Sequence, residues 1–178
     1  MKKLFFVAVF AAGFVFTSQA QDISLGAKAG VNFASLNGDD SDGFDGRTNF
    51  HLGAILEVKF SEKFAFQPEL LYSAQGASVS DIDIKLDYIN LPLMLKFFVA
   101  EGLSLEAGPQ IGFVINDELV GEDIDAESID FGANFGLGYR LDNGFYFQGR
   151  YNLGLTDTFD GGDLQNGVFQ LSVGYFFL

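Results

Sequence analysis

From Ile23 onward the chain is apolar at every second residue. Ile23, Leu25, Ala27, Ala29, Val31 and Phe33 alternate with Ser24, Gly26, Lys28, Gly30 and Asn32. Successive side chains of a strand point to opposite faces, so this period predicts strands with one apolar and one polar face. The same period returns over 49–60, 64–75, 88–99, 103–113, 129–141, 145–155 and 169–177, which makes eight strands. Beyond Phe16 no apolar run is long enough for a membrane-spanning helix, which needs about 20 residues. What remains open is which face looks inward. The hairpin GYRLDNGFYFQGRY poses it plainly: Tyr139, Leu141, Phe145, Phe147 and Tyr151 share one face, and Arg140, Tyr146, Gln148 and Arg150 the other.

The first residues place the chain outside the cytoplasm. Lys2 and Lys3 precede an apolar run from Leu4 to Phe16, followed by Ser18-Gln19-Ala20. A basic segment, an apolar segment and a small-x-small site predict a signal peptide over 1–20, cut between Ala20 and Gln21, with the mature domain at 21–178. No Cys follows the cut, so neither a lipid anchor nor a disulfide framework is available. The net charge of −14 argues against nucleic acid as a partner.

Strand spacing and charge placement favour the polar face as the interior. Three connections are short, at 61–63, 100–102 and 142–144, and four are longer, at about 35–47, 76–84, 116–127 and 157–166. Short turns at one end and long loops at the other are typical of bacterial outer-membrane barrels. The expected fold is therefore all-β: an eight-stranded antiparallel up-and-down transmembrane β-barrel with short periplasmic turns and longer acidic extracellular loops. Its polar faces hold Lys28, Lys59, Lys96, Arg140 and Arg150 against Glu57, Glu69, Glu106 and Asp130. Such near-balance suits a confined interior, because unpaired buried charge is costly. If Val99 pairs with Leu103, Lys96 falls opposite Glu106. Most remaining acidic residues crowd the long loops, from Asp39 and Asp40 to Asp160 and Asp163. A soluble sandwich would spread its charge over the strand faces instead.

The segment LDYINLPLMLKFF, residues 86–98, resembles the hallmark of the PorT-like outer-membrane β-barrel family, also called the porin family. Tyr88, Asn90, Pro92 and Lys96 carry the likeness; the family commonly has Glu where Asn90 stands. LGAKAGVNFA, FQPELLYSAQG, LEAGPQIGFVI and DFGANFGLGYRL extend it over nearly the whole mature chain. The closing GYFFL is similar to the C-terminal signal read by the barrel-insertion machinery, although it ends on Leu178 rather than Phe. The resemblance implies integration in the outer membrane, contact with its lipid and lipopolysaccharide, and a transport or protein-secretion accessory role.

No catalytic set emerges from the residues. His51 is the only His, and a polar barrel position explains it. Glu69 and Glu106 could form a hydrolytic carboxylate pair, but an interior ion-pair network with Lys96 and Arg150 accounts for them better. GDDSDGFDG has Asp40, Asp42 and Asp45 spaced like a calcium loop, without the distal bidentate Glu. Divalent cations at the acidic loops are thus an expectation, and no cofactor is expected. Eight strands leave an interior that side chains can fill, so a general diffusion pore is not expected. The chain reads as a non-enzymatic barrel with a structural role or an external partner bound at its loops. A secretion accessory or a narrow channel is the alternative.

Overall fold

In a computed structural model the described residues are 22–37, 47–79, 82–119, 122–123, 129–155 and 165–177. They form β1 (Asp22–Asn37), β2 (Arg47–Lys59), β3 (Phe64–Val79), β4 (Ile82–Ala100), β5 (Leu103–Leu119), the two-residue β6 (Glu122–Asp123), β7 (Ile129–Arg140), β8 (Phe145–Gly154) and β9 (Gln165–Phe176). Every pairing is antiparallel. The order β4-β3-β2-β1-β9-β8-β7-β5 closes on itself through β4–β5, giving an eight-stranded barrel with β6 as an appendage of β5. Among the described residues closure pairs each of the eight barrel strands on both sides, as the lipid interior requires. The expected leader with its Ala20/Gln21 cut, and Asp40, Asp42 and Asp45, lie outside the described residues.

Each short turn has its own physical cause. Gly102 and Gly144 adopt φ of 75° and 92°, a region that costs other residues a clash between Cβ and backbone. The 61–63 turn, which lacks glycine, is held by Ser61 instead. Its Oγ accepts from the backbone N–H groups of Lys63 (3.3 Å) and Phe64 (3.0 Å). A Cβ on Gly144 would also lie 2.6 Å from the Phe176 carbonyl oxygen. Gly144→Ala is expected to cost at least about 1–2 kcal/mol, read as an earlier loss of the compact gel band on heating.

Strand lengths depart from the sequence reading on the loop side. The 76–84 loop shrinks to a hairpin in which Val79 pairs with Ile82, and β5 runs on to Leu119. β3, β4 and β5 have 16, 19 and 17 residues, whereas β7, β8 and β9 have 12, 10 and 12. One wall of the barrel therefore carries its ladder farther than the opposite wall. Alternation alone underestimates these strands, because above the lipid neither face needs to be apolar. The turn at 100–102 also differs: Ala100, not Val99, faces Leu103, with Val99 absorbed in a bulge. From Phe98 back to Tyr88 the register is the expected one, so Lys96 still faces Glu106; a second shift lies between Asp87 and Tyr88.

The two faces divide as the alternation requires. Phe50, Leu70, Leu95, Phe135, Tyr151 and Leu171 are exposed on the outside, while Glu57, Gln67, His51 and Asn134 are fully buried. In a molecule whose exposed belt is apolar and whose buried interior is polar, the exterior solvent is lipid. Phe145 and Tyr175 (5.3 Å) and Phe64 and Phe97 (5.1 Å) pair near the periplasmic turns, and Phe33 and Phe169 (6.4 Å) pair higher up. These aromatic levels suit the two membrane interfaces.

A buried charge network as the candidate functional site

The interior is built around three carboxylates. Glu69, on β3, receives Arg150 of β8 through two bonds, Nη2 to Oε1 at 2.6 Å and Nη1 to Oε2 at 2.9 Å. Lys28 of β1 reaches the same Oε2 at 2.7 Å, and Gln67 donates to Oε1 at 2.7 Å. Glu57 of β2 accepts Lys96 at 2.7 Å and Arg140 at 3.0 Å. Glu106 of β5 lies 3.3 Å from Lys96 and accepts Tyr146 at 2.6 Å, Ser104 at 3.0 Å and Gln148 at 2.5 Å.

Neutral amides join these centres. Lys28 donates to Gln148 at 2.7 Å, which links Glu69 to Glu106, and Lys96 donates to Gln67 at 3.0 Å, which links Glu57 to Glu69. The result is one continuous network fed by β1, β2, β3, β4, β5, β7 and β8. The eighth strand, β9, closes it with Phe176, whose ring lies 4.2 Å from the Arg140 guanidinium carbon. Four cations (Lys28, Lys96, Arg140, Arg150) surround three carboxylates (Glu57, Glu69, Glu106). The Lys96 ammonium also stands over the Tyr146 ring at 4.5 Å, a further favourable contact for a desolvated cation. Because strands distant in sequence supply the two ends of the Lys28–Glu69, Arg150–Glu69, Lys96–Glu57 and Arg140–Glu57 pairs, the network ties the barrel across its diameter.

Not every expected member belongs to it. Lys59 is half-buried with its ammonium 5.0 Å from the Phe98 ring, and among the described residues it makes no ion pair. It lies at the end of β2, where periplasmic water begins. Asp130, on β7, faces Gly112 in register and lies near Tyr88 and Asn90. Tyr88, Asn90, Pro92 and Lys96 all point inward and are buried. Gln67, Ser104, Tyr146 and Gln148 complete the network; of these the sequence places Tyr146 and Gln148 on the polar face of their hairpin without giving them a role in the charge network. Their inward parity was visible; their partners lie on other strands, and only register reveals those. The interior also has apolar members, Ile55, Leu71 and Met94, that break the polar pattern.

Above the charges lies a neutral layer. His51 Nδ1 meets Asn32 Oδ1 at 2.6 Å, and its Nε2 meets Ser172 Oγ at 2.8 Å. Asn32 Nδ2 donates to Ser73 Oγ at 2.9 Å, so its oxygen faces the imidazole, which then carries its proton on Nδ1. Ser172, His51 and Asn32 thus have the bonding order of a nucleophile, base and orienting group. Asn32 and His51 are wholly buried, and Gln170 Nε2 donates to the Asn32 oxygen at 3.0 Å. Farther round the wall Asn134 bonds Gln110 at 3.2 Å and accepts from Asn152 at 3.1 Å. No metal-binding cluster occurs among the described residues.

The same architecture recurs in solved structures. Neisserial surface protein A (NspA) superposes with a TM-score of 0.60 at 15% identity, covering 89% of this chain and all (100%) of that one. Ail, the attachment invasion locus protein of Yersinia pestis, gives 0.59 at 19% identity, with 86% and 98% covered. The outer membrane enzyme PagL gives 0.55 at 11% identity, with 83% and 98% covered. A shared fold that includes an enzyme leaves catalysis to be decided by the site itself. No curated protein sequence matches the chain significantly. The family described as "Outer membrane protein beta-barrel domain" matches residues 19–160. The chain belongs to that family and is an integral protein of the outer membrane.

Proposed function

We propose that this barrel is non-enzymatic, closed to solutes, and active at the cell surface through its acidic extracellular loops. The observation that carries the reading is the filled cross-section: Lys96, Glu57, Gln67, Glu69, Arg150 and His51 are at most 2% exposed. A lumen whose charges are satisfied by one another offers neither a water column nor a substrate site. Function is thereby left to the ends. The longer β3–β5 wall adds a projecting platform on the loop side, where the loop Asp and Glu residues concentrate. Ail has been crystallised with the heparin analogue sucrose octasulfate. Acidic loops favour the opposite chemistry here, a partner presenting basic groups or divalent cations bridging Asp40, Asp42 and Asp45 to lipopolysaccharide. Export by the 1–20 leader and assembly by the barrel-insertion machinery belong to the same reading.

Planar-bilayer recording of the purified barrel is expected to show no large, steady conductance; an open channel of constant current would sink the closed-barrel reading. The inward Tyr88, Asn90, Pro92 and Lys96 keep a PorT-like secretion accessory as the second reading. Replacing 38–46 by a short neutral turn separates the two. Surface binding is expected to be lost while secretion persists, and the reverse outcome favours the accessory role.

A further inference from the structure

The lipid-facing surface is not evenly covered. Gly149 interrupts the outward row Phe145, Phe147, Tyr151 and Leu153 of β8. In register it faces Leu137 on one side and Leu171 on the other, and Ala29 faces Val173 one strand farther on. The two small residues leave a groove of about 610 Å³ that crosses β1, β9, β8, β7 and β5, floored by backbone and walled by Val31, Leu137, Phe147, Leu171 and Val173. A Cβ added to Gly149 would touch only Leu171 Cδ2 at 3.8 Å, so no neighbouring side chain needs this gap for packing. The groove is open space on a surface that otherwise carries large apolar groups.

Its position identifies what can enter. Leu103 and Tyr139, at one end, adjoin the periplasmic turns. The other end, at Ala29 and Val31, lies well up the belt, so the groove climbs obliquely from the periplasmic interface into the hydrocarbon. Tyr139 ends the groove at headgroup level with its ring beside Gly102, where an aromatic hydroxyl can meet ester or phosphate oxygen while the ring stays in lipid. The size falls within the range of small-molecule sites. We propose that this groove is a binding site for one acyl chain of a periplasmic-leaflet phospholipid, with the headgroup at Tyr139.

The test uses the full barrel, reconstituted in bilayer discs of phosphatidylethanolamine and phosphatidylglycerol and released into native mass spectrometry. One retained phospholipid per wild-type barrel is expected. Gly149→Leu fills the groove and is expected to lower retention at least about tenfold, whereas Ala133→Leu, lipid-facing but outside the groove, leaves it unchanged. Folding of each variant is read from its gel shift on boiling. Should Gly149→Leu not fold, Ala29→Leu closes the upper end and is expected to give the same loss. Equal retention in wild type and in the groove-filled variant overturns the proposal. So does a lipid-free wild-type dimer that Gly149→Leu dissociates, because the occupant is then a second copy of this chain.

Discussion

Glu69→Ala is expected to destabilise the barrel by about 3–5 kcal/mol, the cost of breaking a buried ion pair by removing one partner. The side chain answers two cations from opposite parts of the sequence, Lys28 at 2.7 Å and Arg150 at 2.6 Å. Without it both stay buried, since neither can reach water through a filled lumen. Arg150 Nε already lacks a partner among the described residues, so the guanidinium has little reserve. Denaturant titration in bilayers, followed by the gel shift, measures the loss. The triple variant Lys28→Met, Glu69→Leu, Arg150→Met removes all three charges together and is expected to recover most of it, because uncharged groups of similar size leave nothing to desolvate. A Glu69→Ala midpoint within about 1 kcal/mol of wild type would mean that the charges are not paired as described.

This cluster also shows what could be read from residues alone. Parity along each strand assigned Lys28, Glu57, Glu69, Lys96, Glu106, Arg140 and Arg150 to the interior, because a strand side chain has only two directions to choose from. One contact across a hairpin, Lys96 with Glu106, followed from counting residues around a short turn. The stronger partner of Lys96 is nonetheless Glu57, at 2.7 Å against 3.3 Å. β2 and β4 are not hydrogen-bonded neighbours, so that contact crosses the lumen and depends on barrel curvature and stagger, which no single strand encodes. Lys59 was misplaced for a related reason: parity gives the face but not the depth, and the ends of inward rows are wet. The prolines show the same limit. Pro68, Pro92 and Pro109 stand in three adjacent strands, where a missing N–H ordinarily breaks a ladder. Their alternation fits strands, and the structure accommodates each by a skip: Pro68 in the β2–β3 pairing, Pro92 in β3–β4 and Pro109 in β4–β5.

A pair of glycine substitutions on one wall tests the assignment of inside and outside directly. Gly138 and Gly149 lie on β7 and β8, one facing inward and the other outward. A Cβ on Gly138 would fall 2.1 Å from Glu106 Oε1, 2.8 Å from the Tyr146 hydroxyl and 2.9 Å from Ser104 Oγ. Gly138→Val must therefore expel the Glu106 carboxylate from the position where it meets Lys96, Tyr146 and Gln148. Overpacking costs about 1–3 kcal/mol, and taking the buried Glu106 carboxylate off its hydrogen bonds and its contact with Lys96 adds a further penalty. Gly138→Val is expected to abolish the heat-shifted band. Gly149→Val adds an apolar group to a surface already bathed in lipid, where no packed neighbour resists it, and is expected to fold with a gel shift like that of wild type. A barrel turned inside out, with aromatics as its core and arginines in water, would reverse these results. Gly138 would then be the tolerant surface site, and Gly149 the position at which a side chain must be forced into a core.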